Sequence, residues 1–205
     1  NPTISLTIPS QAKFLRPSSV RINGTLRVQT SAGALGDCNN LKGAGATVIE
    51  LNPRLGVNSL FKNVILSSEA TNQSLESIRN YGRLVTALLS STHSPDDFMS
   101  EKSNVSLATA VQGGSDNLIA NEVRFSVPLY CGMLMGGNPL PLSVNGVNGL
   151  TLDLELASDS QVLKGANAGD ASGAFIQVKD VSVSGDYLVP DDKGVQALSV
   201  AGSGA

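Results

Sequence analysis

The only histidine, His93, stands in a Ser/Thr-rich stretch with no second His and no Cys or carboxylate at ligand spacing. Alone it makes no metal site, and it reads as a solvated loop side chain rather than a catalytic base. Cys38 lies in a polar, glycine-rich stretch and Cys131 in an apolar one. Their spacing fits no metal motif, and both are expected as free thiols, Cys131 behaving as a small hydrophobe. Serines abound, but the chain has no G-x-S-x-G, and a serine without a positioned base is a poor nucleophile. Acids stand side by side at Asp96/Asp97 and Asp191/Asp192. Calcium needs about six to eight oxygens from converging loops, so these pairs read as solvated turns. The glycine-rich pieces GALG, GAGA, MGGN and NGVNG lack the Lys-Ser/Thr of a phosphate loop. Sequons at Asn23, Asn72 and Asn104 arise readily by chance and matter only in a secretory compartment. These residue types therefore assign no catalytic, cofactor-binding or metal position, and the chain is expected not to be an enzyme.

The patterning that would position such groups is mostly of strands. In residues 149–157, Leu150, Leu152, Leu154 and Leu156 take one face and Thr151, Asp153, Glu155 and Ala157 the other, the period of a strand with one buried side. Ile4, Leu6 and Ile8 alternate likewise, as do Val20, Ile22, Gly24, Leu26 and Val28. Further strands are expected at residues 46–51, 62–67, 106–111, 122–131 and 140–144. In residues 174–189 the parity changes, Ile176 and Val178 against Val181, Val183 and Tyr187, which predicts a bulge or bend around Asp180. One stretch breaks the pattern: Leu75, Ile78, Tyr81, Leu84, Val85, Leu88 and Leu89 are spaced for one face of a helix starting near Ser74. Gly82 weakens that helix by roughly 1 kcal/mol relative to Ala.

The 205 residues suffice for one β-domain with a substantial core. Charged residues make up 15% and the net charge is -3; the Lys and Arg are scattered along the chain, which argues against a nucleic-acid-binding surface. No run approaches the roughly 18 apolar residues of a membrane span, and no signal peptide is visible. Short strands separated by Pro/Gly corners indicate an antiparallel sandwich.

Four segments in order carry a resemblance. They are residues 12–28 (AKFLRPSSVRINGTLRV), residues 56–89 (GVNSLFKNVILSSEATNQSLESIRNYGRLVTALL), residues 123–163 (opening VRFSVPLYCGML and closing on LPLSVNGVNGLTLDLEL) and the late IQVKDVSVSGDYLV. Together they resemble the capsid jelly-rolls of the double-jelly-roll DNA virus lineage, in virophages, polinton-like viruses and their large-virus relatives. The resemblance implies an all-β fold, a single eight-stranded antiparallel jelly-roll sandwich over residues 1–190 with one inserted helix, and an extended or mobile tail at 191–205. It implies a structural protein of an icosahedral virion, assembled inside the host cell from copies of itself and other capsid proteins, with no direct nucleic-acid binding and no cofactor. One sandwich is half of what a double-jelly-roll major capsid protein needs, so the pentameric vertex (penton) protein is the expected role. A major capsid protein or half of one is the alternative. From another class, the rival is a carbohydrate-binding jelly-roll, but lectin sites usually stack sugars on exposed aromatics. This chain has no Trp and three Tyr, Tyr81, Tyr130 and Tyr187, all at core-like positions.

Overall fold

The computed structural model of the chain describes residues 2–10, 14–29, 49–51, 55–92, 122–142, 148–165, 175–189 and 191. Its elements are β1 (Thr3–Ile8), β2 (Phe14–Leu15), β3 (Arg21–Gln29), β4 (Ile49–Leu51), β5 (Phe61–Ser68), β6 (Ser74–Arg79), α1 (Tyr81–Thr92) and β7 (Glu122–Pro128). There follow α2 (Gly132–Met135), β8 (Leu140–Pro141), β9 (Leu150–Leu156), α3 (Asp159–Val162), β10 (Leu163–Gly165), β11 (Phe175–Ser184) and β12 (Tyr187–Leu188), with 3-10 turns at Pro17–Ser19 and Gly56–Leu60. The protein is mostly β with few helices, and its sheets are antiparallel. A four-stranded sheet in the order β1-β9-β5-β6 faces a three-stranded sheet in the order β11-β3-β7. Two small pairings, β12-β2-β8 and β10-β4, accompany them.

Alternation decides what each strand buries. Leu150, Leu152 and Leu154 of β9 are fully buried, and they meet Val64 and Leu66 of β5 on the same inward face. Ile22 and Leu26 of β3 and Phe125 and Val127 of β7 close the core from the opposite sheet. At about 1.5–3 kcal/mol for each buried Leu, Ile, Val or Phe, this shared layer is the dominant stabilising term. Gly24 of β3 is an inward position without a side chain because the ring of Phe125, its register partner, fills the space; a Cβ there would lie 2.7 Å from Phe125 Cζ.

The bend expected at Asp180 is present. The register of β11 against β3 shifts between Lys179 and Ser182, and Asp180 takes a φ of 51°. That parity change lets Val178 and Val183 both pack against the core.

Two expected elements are corrected. The helix does not start near Ser74: residues 74–79 are β6, hairpin-paired to β5, and α1 starts at Tyr81. The spacing of Leu75 and Ile78 mimics a helix, yet residues three apart on a strand face opposite ways, and Ile78 packs inward while Leu75 is 37% exposed. Ser68 accepts from Asn72 and donates its N–H to Gln73 to close the hairpin, and Asn80, at φ 56°, turns the chain from strand into helix. Asparagine adopts that left-handed conformation more readily than other side chains. Tyr81, Val85 and Leu89 then form the buried stripe of α1, which packs on β5 and the 3-10 turn at Gly56–Leu60. The second correction is the strand expected to run to residue 131. It ends at Pro128, and Gly132–Met135 form a helical turn. The strand expected at 106–111, residues 46–48 of the strand expected at 46–51, residues 143 and 144 of the strand expected at 140–144 and, apart from Asp191, the tail expected at 191–205 lie outside the described residues.

Candidate functional site

Among the described residues, chemically capable side chains gather most densely at the joint where β6 and α1 hold the chain leaving β7. Glu76 points inward from β6, and its two carboxylate oxygens accept the N–H of Gly132 at 2.7 Å and of Met133 at 3.0 Å. It thereby satisfies two of the unpaired donors at the start of α2, a cap supplied from 56 residues away in sequence. One turn later, the buried hydroxyl of Tyr81 accepts the N–H of Tyr130 at 2.9 Å. The Tyr81 ring meets Phe61 edge-on, centroids 6.2 Å apart. Between these two grips lies Cys131, 1% exposed and free.

Burial keeps the thiol and the phenol of this joint protonated. Burial, with the neighbouring Glu76 charge adding to it, pushes the Cys131 thiol up to about 12. The thiolate is the reactive form, so Cys131 is no nucleophile near neutral pH. Burial also raises the Tyr81 hydroxyl well above its ordinary value, outweighing the opposing hydrogen bond from Tyr130.

Two depressions are lined by described residues. A broad groove of about 620 Å³ runs between the first turns of α1 and α3, floored by Phe61 and Ala157 and rimmed by Asn80, Arg83, Lys62 and Gln161. Lys62 is already paired with Glu155 at 2.9 Å. A narrower slot of about 280 Å³ lies between the free edges of β1 and β11, lined by Ile8, Pro9, Leu15, Val20 and Tyr187. Tyr187 donates its hydroxyl to the Pro9 carbonyl oxygen at 3.2 Å, and burial raises it above the ordinary tyrosine range. Neither depression brings together an acid and a base in contact geometry. The buried amide oxygen of Asn58, in the turn under the groove, has no hydrogen-bond partner, a cost of about 1–3 kcal/mol.

Of the residues singled out from sequence, His93, Cys38, Asp96, Asp97, Asp192 and Asn104 lie outside the described residues. Cys131 is buried beside α2 rather than within a strand. Among the sequon residues, Asn23 lies on β3 with its amide donating to Ser184, and Asn72 sits at φ 53° in the β5–β6 hairpin. All three tyrosines are buried or half-buried, as expected. Sequence reasoning missed Glu76, because a glutamate in a stretch of helical spacing gives no sign of capping a distant turn. Among the described residues no three His, Cys, Asp or Glu side chains converge as metal ligands, and no helix is long and apolar enough to cross a membrane. No protein-family model matches the chain, and no curated protein matches it.

Proposed function

We propose that the chain is a structural virion protein, a single jelly-roll subunit of an icosahedral capsid, with the pentameric vertex as its place. Its work is geometric: faces and loops bury against neighbours, and symmetry repeats each contact around the shell. The observation that carries this reading is the strand order. β1 lies beside β9, and β9 lies beside β5, while the intervening β3 and β7 pair in the facing sheet. The strands β1, β3, β5, β7 and β9 thus alternate between sheets, a crossing of the kind from which jelly-rolls are built. The β5–β6 hairpin, which stays within one sheet, and β11, added beside β3, depart from the simplest eight-stranded plan.

The residues support a scaffold in a second way. Among the described residues, the cluster of Tyr81, Cys131 and Glu76 is spent on holding the chain together, with its thiol held protonated. Light scattering of the purified protein, with negative-stain imaging, tests the reading. Five-fold rings are expected. Trimers would move the chain to a facet or major capsid role, and a stable monomer that binds glycans on an array would replace the shell reading with a carbohydrate-binding module.

A further inference from the structure

Cations that the sequence disperses come together on the outward face of the three-stranded sheet. Along β3, Ile22, Gly24 and Leu26 are buried, so alternation turns Arg21, Asn23 and Thr25 outward. Register sets Arg124 of β7 across from Thr25 on one side and Lys179 of β11 across from it on the other. The row is about 10 Å wide, two strand spacings. Arg21 lies further along β3 but reaches back toward this row: its Nε donates to Ser126 Oγ at 2.9 Å and its Nη2 to the Ser126 carbonyl oxygen at 2.7 Å. Ser126 and Arg124 are two residues apart on the same face of β7, about 6.8 Å along the strand.

Arg21 is therefore held toward Arg124, like charge toward like charge. In water such exposed like charges repel only weakly, and an anion lying against them turns the arrangement favourable. Among the described residues neither Arg21 nor Arg124 makes an ion pair, and the Arg124 side chain makes no hydrogen bond. The described side chains interleaved with them, Asn23, Thr25, Ser126, Ser182 and Ser184, are neutral. The nearest acids by register are Asp180, exposed at the bulge after Lys179, and Glu122, which is the register partner of Arg27. Two of the five guanidinium donors of Arg21 are used within the sheet, which leaves three and fixes the plane of the fork in advance.

We infer that Arg21, Ser126 and Arg124, flanked by Lys179, form an oxyanion-binding face whose occupant is the acidic surface of a second copy of this chain. Charge balance names the occupant. The chain carries a net charge of -3; Arg21, Arg124 and Lys179 against Asp180, with Arg27 and Glu122 cancelling as register partners, give this face a net charge of +2 and leave -5 on the remainder. Among its described residues the face offers no aromatic platform on which nucleic-acid bases would stack. Basic face against acidic remainder is a heterologous contact, which closes into a ring when the rotation between copies permits. The inference rests on the self-assembly reading above and adds the face that makes the contact.

Sedimentation velocity of the full chain over a concentration series, at about 50 and about 500 mM NaCl, tests it. Association is expected to weaken by about tenfold or more at high salt, and Arg124→Glu, which breaks no internal bond, to weaken it by a similar factor at low salt with an unchanged thermal melt. The Arg21→Glu/Arg124→Glu double variant is expected to be monomeric alone yet to cap wild-type assemblies when mixed with them, because its acidic surface still accepts a wild-type basic face. Assembly of both variants like wild type, or a double variant that fails to cap, would remove this face while leaving the shell reading intact. A monomeric wild-type chain would remove both. A monomeric wild-type chain that retains labelled duplex DNA, and loses it with Arg124→Glu, would assign the face to nucleic acid and overturn the inference.

Discussion

On the outward face of the four-stranded sheet, each carboxylate of β9 meets a donor: Ser5 donates its hydroxyl to Asp153, and Lys62 and Asn63 both reach Glu155. On the outward face of the three-stranded sheet, Arg21 donates to the neutral Ser126, and among the described residues Arg124 makes no ion pair. The two faces enclose one core and carry similar densities of Ser, Thr and Asn, so the difference is not one of burial or general polarity. Among the described residues, one face is electrostatically complete within the chain and the other leaves cations without an acid. A self-compensated face gains little from a charged partner, because desolvating satisfied charges costs what the new contacts return.

The comparison can be broken at several depths. The deepest break is in the core that both faces share. Leu152→Ala should cost about 2–5 kcal/mol in chemical denaturation, and should abolish salt-sensitive assembly because neither face survives. Next comes the joint that fixes β6 and α1. Tyr81→Phe leaves the Tyr130 N–H without its acceptor and should cost about 1–3 kcal/mol, as should Glu76→Gln, which exchanges an acceptor for an amide donor at α2. Alkaline titration probes the same joint. The folded state holds the Cys131 thiol up at about 12, so above the ordinary value of 9.0 an unfolded chain loses a proton that the folded chain keeps. Stability should be level below pH 9 and fall progressively between pH 9 and 12. A Cys131→Ala variant should show a shallower fall over that range, and an identical slope would contradict the linkage.

Gly24→Val acts on the three-stranded sheet alone. Its side chain would collide with the Phe125 ring and approach the Lys179 carbonyl, at a cost of about 1–3 kcal/mol, and it should disturb the basic face while sparing the other. The smallest effects are on the faces themselves. Glu155→Gln should change stability by about 0–1 kcal/mol, because its pair with Lys62 is part-exposed, and should leave assembly unchanged. Arg124→Gln should change stability by less than about 0.5 kcal/mol and still weaken assembly. An effect of Glu155→Gln on assembly as large as that of Arg124→Gln would dissolve the distinction between the two faces.

Much of this architecture could be read from the chain. The buried Leu150, Leu152 and Leu154, the alternation of β1 and β3 and the parity change at Asp180 are local patterns, because a strand's inward face is set by its own period of two. Cys131 as a free, buried thiol follows from its apolar neighbours in the same way. The start of α1 was not legible, since Leu75 and Ile78 satisfy a helical spacing as well as a strand, and the hairpin with β5 decides between them. The cap of α2 by Glu76 depends on a contact between two segments far apart in sequence.

The basic face depends on more still. Arg21, Arg124 and Lys179 look scattered in the sequence because they are separated by tens of residues. Alternation by itself turned each of them outward. Pairing β7 and β11 on either side of β3 made those three outward positions neighbours, and the diagonal reach of Arg21 to Ser126 tightened them. Direction relative to the core is a property of each strand and is written in the local sequence. Adjacency between strands comes from hydrogen-bonded register over long loops, and only the folded chain decides it.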